Sequence, residues 1–259
     1  MPDEVAMFID LENLRYGMLN VHGQEPDFQQ LVEKARKYGR PALMRAYADF
    51  NEHPDSVNRQ LQVAGIEAIN IPVKRTKITR RGQEEERVKN AADMVLALDA
   101  VITALEADKN REVKTFLLVV GDRDYMRLVT LLRNRLGQRV VIAGVPGTTS
   151  RDLVAAAGQE DPVDVPAHVA ADMNSVKRAM TRMVKEGSEK LRFWTRKLID
   201  QWSQDPRNNV PGTAQQRRQA LSELLNEQVL TIREIDYNNR RIPAVTLDEA
   251  RARELGYLE

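Results

Sequence analysis

Three short aliphatic runs constrain this chain most. Val5–Ile9, Phe116–Val120 and Val140–Ala143 are each four or five residues long and uninterrupted by charge. Runs of that length without polar alternation are what strands buried on both faces look like, and such strands belong to parallel sheets covered by helices. Further strands are expected near Ala42–Ala48 and Ile66–Ile71, with the second and third runs extended to Thr115–Val120 and Arg139–Ala143. Amphipathic patterns between them predict helices near 27–38, 55–64, 87–108 and 123–135, so the first two-thirds reads as βαβ units around a mostly parallel sheet.

After Ala143 comes a Gly/Pro/Thr loop from Gly144 to Ser150, then a short helix, then a stretch punctuated by Pro162 and Pro166. Clusters of these residue types mark loops and linkers, which divides the chain into domains 1–167 and 168–259. The second domain carries helical patterns near 172–186, 189–203 and 213–227, a strand at Val229–Ile235, an Asn238-Asn239 turn and a strand at Ile242–Leu247. Three helices followed by a hairpin suggest a small winged-helix-like α+β domain. Gln215–Gln219 would then lie on the recognition helix and Arg240 with Arg241 at the wing, positioned to meet nucleic acid or a protein partner. Phe193, Trp194 and Trp202 are spaced like core residues of its second helix.

The chain has 259 residues, no cysteine, a net charge of +1, 42% hydrophobic and 30% charged residues. The balance of apolar and charged residues suits a folded protein. Without cysteine there are no disulfides, thiolate metal sites or cysteine nucleophiles, so any metal is held by oxygen or histidine. No targeting segment and no membrane-length apolar run is evident, so no membrane association and a cytoplasmic location are expected. Near-neutral charge leaves any nucleic-acid surface to local clustering.

Ligands of doubly wound sheets lie beyond the carboxyl ends of the strands. Val5–Ile9 runs into Asp10, and Phe116–Val120 runs through Gly121 into Asp122 and Asp124. Asp93 falls in the first turns of the helix that follows the third strand, and such helix starts return to the same edge. Asp99 is six residues further, about 9 Å along the axis. It sits in the apolar stripe of Val88, Ala92, Val95 and Ile102, which makes it structural first. Carboxylates gathered in one pocket repel each other unless they share protons or bind a hard cation. A divalent cation also activates water and stabilises charge on phosphate oxygens. None of the three histidines, His22, His53 and His168, is beside these carboxylates in sequence. Each aspartate has a plainer reading as well: Asp122 or Asp124 caps the helix near Tyr125, and Lys89 with Asp93 forms an i,i+4 surface pair.

At these residues the chain resembles the NYN domain family, the LabA-like branch of the PIN-like nucleases. FIDLENL at 8–14 is similar to the family's first strand with its Asp and Asn, and RAYADF at 45–50 to its second strand. KNAADMVLALDA at 89–100 resembles the helix with two spaced aspartates, and VVGDRDYMRLVTLLRNRLGQRVVIAG at 119–144 the Gly-Asp-x-Asp stretch. The Thr148-Thr149-Ser150 loop before Leu153 matches the closing motif. The resemblance covers roughly residues 4–157. It implies a Rossmann-like PIN fold and Mg²⁺- or Mn²⁺-dependent cleavage of RNA. Asp10, Asn13, Asp93, Asp122 and Asp124 are carried over as site residues, the four aspartates as metal ligands, with Asp99 and Thr149 at lower weight. Two positions depart from the pattern: Val120 stands where the family commonly has Ser, and Tyr125-Met126-Arg127 where it often has a Phe and a Pro.

The segment Lys74-Arg75-Thr-Lys77-Ile-Thr-Arg80-Arg81 concentrates basic charge before the Asp93 helix, and Glu84, Glu85 and Glu86 follow. Read as a loop at the carboxylate edge, it would grip RNA phosphates, assisted by Lys89 and Arg123; as a solvated charged loop it would touch nothing. Three functions compete. The first is a metal-dependent ribonuclease whose tail positions substrate or partner, with self-association left open. The second is an NYN-fold RNA-binding regulator without turnover, suggested by Val120, Met126 and Arg127. The third is a haloacid-dehalogenase-type phosphohydrolase, suggested by Asp10-Leu11-Glu12, although Glu12 stands where a second Asp is expected and no matching Lys motif is evident.

Overall fold

The structure is a computed structural model. It describes residues 3–80, 83–89, 91–110, 113–165, 171–237 and 240–258, without the side chains of 74–80, 83–89, 107–110 and 240. Contacts group the chain into two compact units, residues 1–17 with 26–164, and residues 18–25 with 165–259.

The first unit is built on a five-stranded parallel sheet: β1 (Glu4–Asp10), β2 (Arg40–Ala48), β3 (Glu67–Asn70), β6 (Val113–Val119) and β7 (Arg139–Ile142), in the order β3-β2-β1-β6-β7. It is a Rossmann-like α/β fold, and the order reverses between β1 and β6. Val5, Ala6, Met7, Phe8 and Ile9 are all fully buried, as expected for a central strand covered on both faces. Phe8 stacks between Tyr47 and Phe116, with ring centroids 6.3 and 6.0 Å away.

The crossover helices are α2 (Phe28–Arg36), α3 (Asp55–Val63), α4 (Ala92–Asn110) and α5 (Met126–Thr130), with α6 (Arg151–Ala157) after β7. Asp27 starts α2 by accepting from the Gln29 and Gln30 backbone N–H groups, and Ser150 starts α6 by accepting from Leu153. Lys34 is 1% exposed and donates to Asp161 at 2.6 Å, fastening α2 to the chain beyond α6.

Several elements differ from the sequence expectation. A short helix, α1 (Leu11–Gly17), begins directly after Asp10 and runs into a π-helical turn over Met18–His22. Leu11, Leu14 and Met18 are buried at helical spacing, a pattern too short to stand out in the sequence. The expected helix 87–108 starts only at Ala92. Residues before it form an antiparallel hairpin, β4 (Lys74–Arg80) with β5 (Gln83–Lys89), not a basic loop. Val88 therefore belongs to a strand, and Ile102 is 50% exposed, so the stripe expected on this helix is only partly its buried face. The expected helix 123–135 is three short pieces: a 3₁₀ turn at Arg123–Tyr125, α5, and a π turn at Leu131–Arg135.

The second unit contains α7 (Met173–Ser188), α8 (Arg196–Gln204), α9 (Ala214–Asn226), the hairpin β8 (Leu230–Tyr237) with β9 (Arg240–Leu247), and α10 (Glu249–Glu254). The Asn238-Asn239 turn lies outside the described residues. Trp194 is buried, but in the segment before α8, where its backbone bridges Val245 and its ring meets Trp202 edge-on at 5.0 Å. Phe193 is partly buried and packs on Tyr237. Arg217, expected on a solvent-facing recognition helix, is 4% exposed and donates to Asn20 at 2.6 Å and to the Pro211 carbonyl. Arg218 pairs with Asp200 and Arg241 with Glu234. Among the described residues no helix is long and apolar enough to cross a membrane.

Candidate functional site

The carboxyl ends of β1 and β6 are adjacent because the two strands pair in parallel, with Ile9 in register with Val119. Asp10 therefore leaves the sheet beside the turn that carries Asp122, at the point where strand order reverses. The turn of α1 brings the Asn13 backbone N–H to Asp10 Oδ1 at 3.0 Å. The 3₁₀ turn after Asp122 brings the Tyr125 hydroxyl to Asp10 Oδ2 at 2.9 Å. Burial pushes the Asp10 carboxyl above its ordinary 3.8, the two donors pull it back, and the charges of Asp122 and Asp93 push it up again. The Tyr125 hydroxyl is raised as well, by burial and by the carboxylates of Asp10, Asp93 and Asp122. Both shifts show that Asp10, Asp93 and Asp122 share one electrostatic neighbourhood.

The helix-cap reading fails for Asp122: it occupies the cap position of the 3₁₀ turn, but its side chain accepts no capping bond. The i,i+4 reading of Lys89 and Asp93 fails too, since Lys89 is in β5 and the helix starts after it. Asp93, in the first turn of α4, accepts from the Met94 N–H at 2.8 Å and is otherwise exposed, as are Asp122 and Asp124. Gly121 makes room for the neighbouring elements, since a Cβ there would lie 2.8 Å from Asn13 Oδ1. Its carbonyl accepts from the Ser150 N–H at 2.8 Å, tying the Gly144–Ser150 loop to the site. Thr149 donates its hydroxyl to the Val145 carbonyl at 3.0 Å and so shapes that loop.

Asp99 belongs to a different network. It accepts from Tyr47 at 2.8 Å and from Arg45 at 3.2 Å, and Arg45 also pairs with Glu67. Arg123 is exposed and approaches Asp152 at 3.5 Å. Lys74, Arg75, Lys77, Arg80 and Lys89 lie on the β4–β5 hairpin, where Lys77 is in register with Glu86 and Lys74 with Lys89; their side chains, and all of Arg81, lie outside the described residues. The acidic strand β5 thus runs beside the basic one. Tyr125 is the residue that sequence reasoning left out of the site: an aromatic after the Asp-x-Asp pair reads as core, and its one polar atom reaches Asp10 only through tertiary packing.

The sequence profile of the NYN domain matches residues 4–160. The chain belongs to the NYN domain family. A protein of unknown function from Vibrio parahaemolyticus has the same fold, with a TM-score of 0.52 and 24% identity over 65% of this chain and 97% of its own. No curated protein matches. The NYN domain ties this chain to a nuclease-like family whose members act on nucleic acid.

The donors at this edge of the NYN domain are all oxygens, the ligand type of hard divalent cations. Burial is the chief cause of the raised Asp10 carboxyl, and the lesser push from Asp122 and Asp93 is negative charge that a cation would offset. Among the described residues, no three acidic or imidazole groups stand close enough together to form a ready-made cage. Holding a cation therefore requires the exposed Asp93, Asp122 and Asp124 side chains to turn toward Asp10.

Proposed function

We propose that this NYN domain is a divalent-metal-dependent ribonuclease in which Asp10, Asp93, Asp122 and Asp124 hold Mg²⁺ or Mn²⁺. The observation that carries the reading is Asp10 itself: a carboxylate at the switch point, raised by burial and by two neighbouring aspartates. Two other carboxylates, Asp161 and Asp49, shift the opposite way, because donors outweigh burial and hold them low. When bound, the cation supplies an activated water and a counter-charge for the phosphate. The chain's own groups fix Asp10: Asn13 holds one oxygen, Tyr125 the other, and the Gly121–Ser150 bond holds the neighbouring loop. Asp93, Asp122 and Asp124 are exposed, so rotation costs them no buried partner. Arg123, Lys89 and the basic strand β4 would meet flanking phosphates. The second unit, with three helices ahead of a hairpin and a short α10 after it, is read as a winged-helix-like module that positions RNA or a protein partner. A cytoplasmic location suits this role.

Labelled single-stranded and structured RNAs, incubated with Mn²⁺, Mg²⁺ or EDTA and with wild type, Asp10→Asn or Asp122→Asn, test this directly. Cutting that requires metal and disappears in both variants is expected. The spread of the acidic side chains favours one other reading, a metal-independent RNA-binding regulator. Tight RNA binding by folded wild type, with no cleavage in either metal, would establish that reading instead.

A further inference from the structure

Helix α4 is apolar on nearly every side, a composition normally found in helices surrounded by protein. Its inner face is buried through Leu96, Ala100 and Ala104. Its outer face is open: Met94 and Leu98 are 55% and 57% exposed, with Ile102 and Leu105 further along. Met94 and Leu98 form one wall of a groove of about 330 Å³ between α4 and α5, and Leu131 stands on the other side. That volume is in the range of small-molecule sites, about 300–1,000 Å³. The end of the groove is lined by Asp93, Asp124 and Tyr125, so it opens directly onto the candidate site. Arg127 and Leu131 carry it into a second hollow of about 460 Å³ that reaches Arg135. Both arginines are exposed, and neither pairs with a carboxylate among the described residues.

We propose that this groove is a nucleobase subsite, which takes an unpaired base of a nucleic-acid strand whose adjacent phosphate lies at the carboxylates. An aliphatic slot flush against a phosphate-handling edge suits a base, whose flat apolar faces gain by leaving water, and the arginines along the slot complement the backbone charge. Bases inside a duplex are stacked away from such a slot, so the groove selects single-stranded or looped nucleotides. The nuclease reading enters only in where the phosphate lies; base capture stands or falls without cleavage.

The test is fluorescence anisotropy with the full-length protein in Ca²⁺ and in EDTA. The probes are a short labelled single-stranded RNA, a ribose-phosphate strand of equal length without bases, and the matching duplex. Wild type is expected to bind the base-bearing strand about tenfold or more tighter than either comparison. Leu98→Glu should reduce it to the level of the baseless strand, and Arg127→Ala should weaken both strands alike. If Leu98→Glu melts early, Met94→Gln gives the same reading at the neighbouring exposed position. Equal binding of the two strands by wild type, no binding of either, or an unchanged Leu98→Glu variant overturns the proposal. So does light scattering that finds a wild-type dimer dissociated by Leu98→Glu, since a second copy then covers the groove. Asp10→Asn should keep the base preference while losing any cleavage. Base preference in a wild type that cuts nothing would sink the nuclease reading alone.

Discussion

Tyr125 and Asp10 are 115 residues apart and joined by a 2.9 Å hydrogen bond, in which the phenol donates to the carboxylate that closes β1. With the Asn13 N–H on the other oxygen, both oxygens of Asp10 have a donor, one from the helix after β1 and one from the turn after β6. The carboxylate is thereby oriented by the two elements that flank the switch point.

Tyr125→Phe removes that orientation and leaves the ring. A hydrogen bond to a charged group is worth about 1.5–3 kcal/mol, so a stability loss near the low end is expected at neutral pH. The bond favours the ionised carboxylate, so the loss should shrink as acid protonates Asp10. Cleavage should fall about tenfold through misplacement of Asp10, a change of about 1.4 kcal/mol in barrier. Denaturant melts at several pH values, run beside RNA cleavage, check both. Unchanged cleavage with lowered stability would leave Tyr125 a purely structural residue.

Asp10→Asn should gain stability while losing activity. The folded-state carboxyl is raised above 3.8, so its ionised form is disfavoured in the fold relative to the unfolded chain at neutral pH. A neutral isostere removes that penalty, and an increase of about 0.5–2 kcal/mol is the usual size of such a change. Mn²⁺ should raise the melting temperature of wild type and leave the variant unmoved, because a ligand stabilises only the state that binds it. A Tm that falls in the variant, or rises with Mn²⁺ in both proteins, contradicts the assignment of Asp10.

Asp99→Asn separates the two aspartates of α4. Asp99 accepts from Tyr47 and Arg45, and weakening charge-assisted bonds in this part-buried network should lower stability by about 1–3 kcal/mol. Cleavage by the folded variant should stay within about twofold of wild type, a difference of under 0.5 kcal/mol. A folded Asp99→Asn protein that cuts nothing would move Asp99 into the metal site.

Acid should unfold the first unit through Asp161 and Asp49. Burial pushes each carboxyl up, but the stronger sum of donors holds both below 3.8: Lys34 and Tyr38 for Asp161, and the Val73 and Asn51 N–H groups for Asp49. A depressed folded value means stability that is fully present above the unfolded value and lost as pH falls through the folded one. Thermal melts of wild type should therefore decline steeply below about pH 4, and Asp161→Asn should flatten that decline. An equal slope in the variant would show that other groups govern the acid limit.

Much of the placement of the candidate site residues was legible because strand ends are legible. An apolar run that ends at or just before an aspartate announces where that aspartate sits, as β1 and β6 do. The hairpin β4–β5 was not legible as strands: its charged, polar composition reads as a loop, and only the antiparallel backbone pairing makes it a hairpin. Nor was Arg217, a charged residue on a helix face that periodicity assigns to solvent and packing buries against Asn20.

By itself the sequence determined the α/β class, the family, and the chain positions of Asp10, Asp93, Asp122 and Asp124, since these follow from local pattern and from motifs read in order. The tertiary structure decided which carboxylates share a neighbourhood: Asp93 with Asp10 and Asp122, and Asp99 with Tyr47 and Arg45. It also decided that Tyr125 serves Asp10 and that the outer face of α4 is open beside the site. The physical reason is that the energy of a buried charge depends on every group within a few ångströms, and those groups come from strands and helices far apart in the chain.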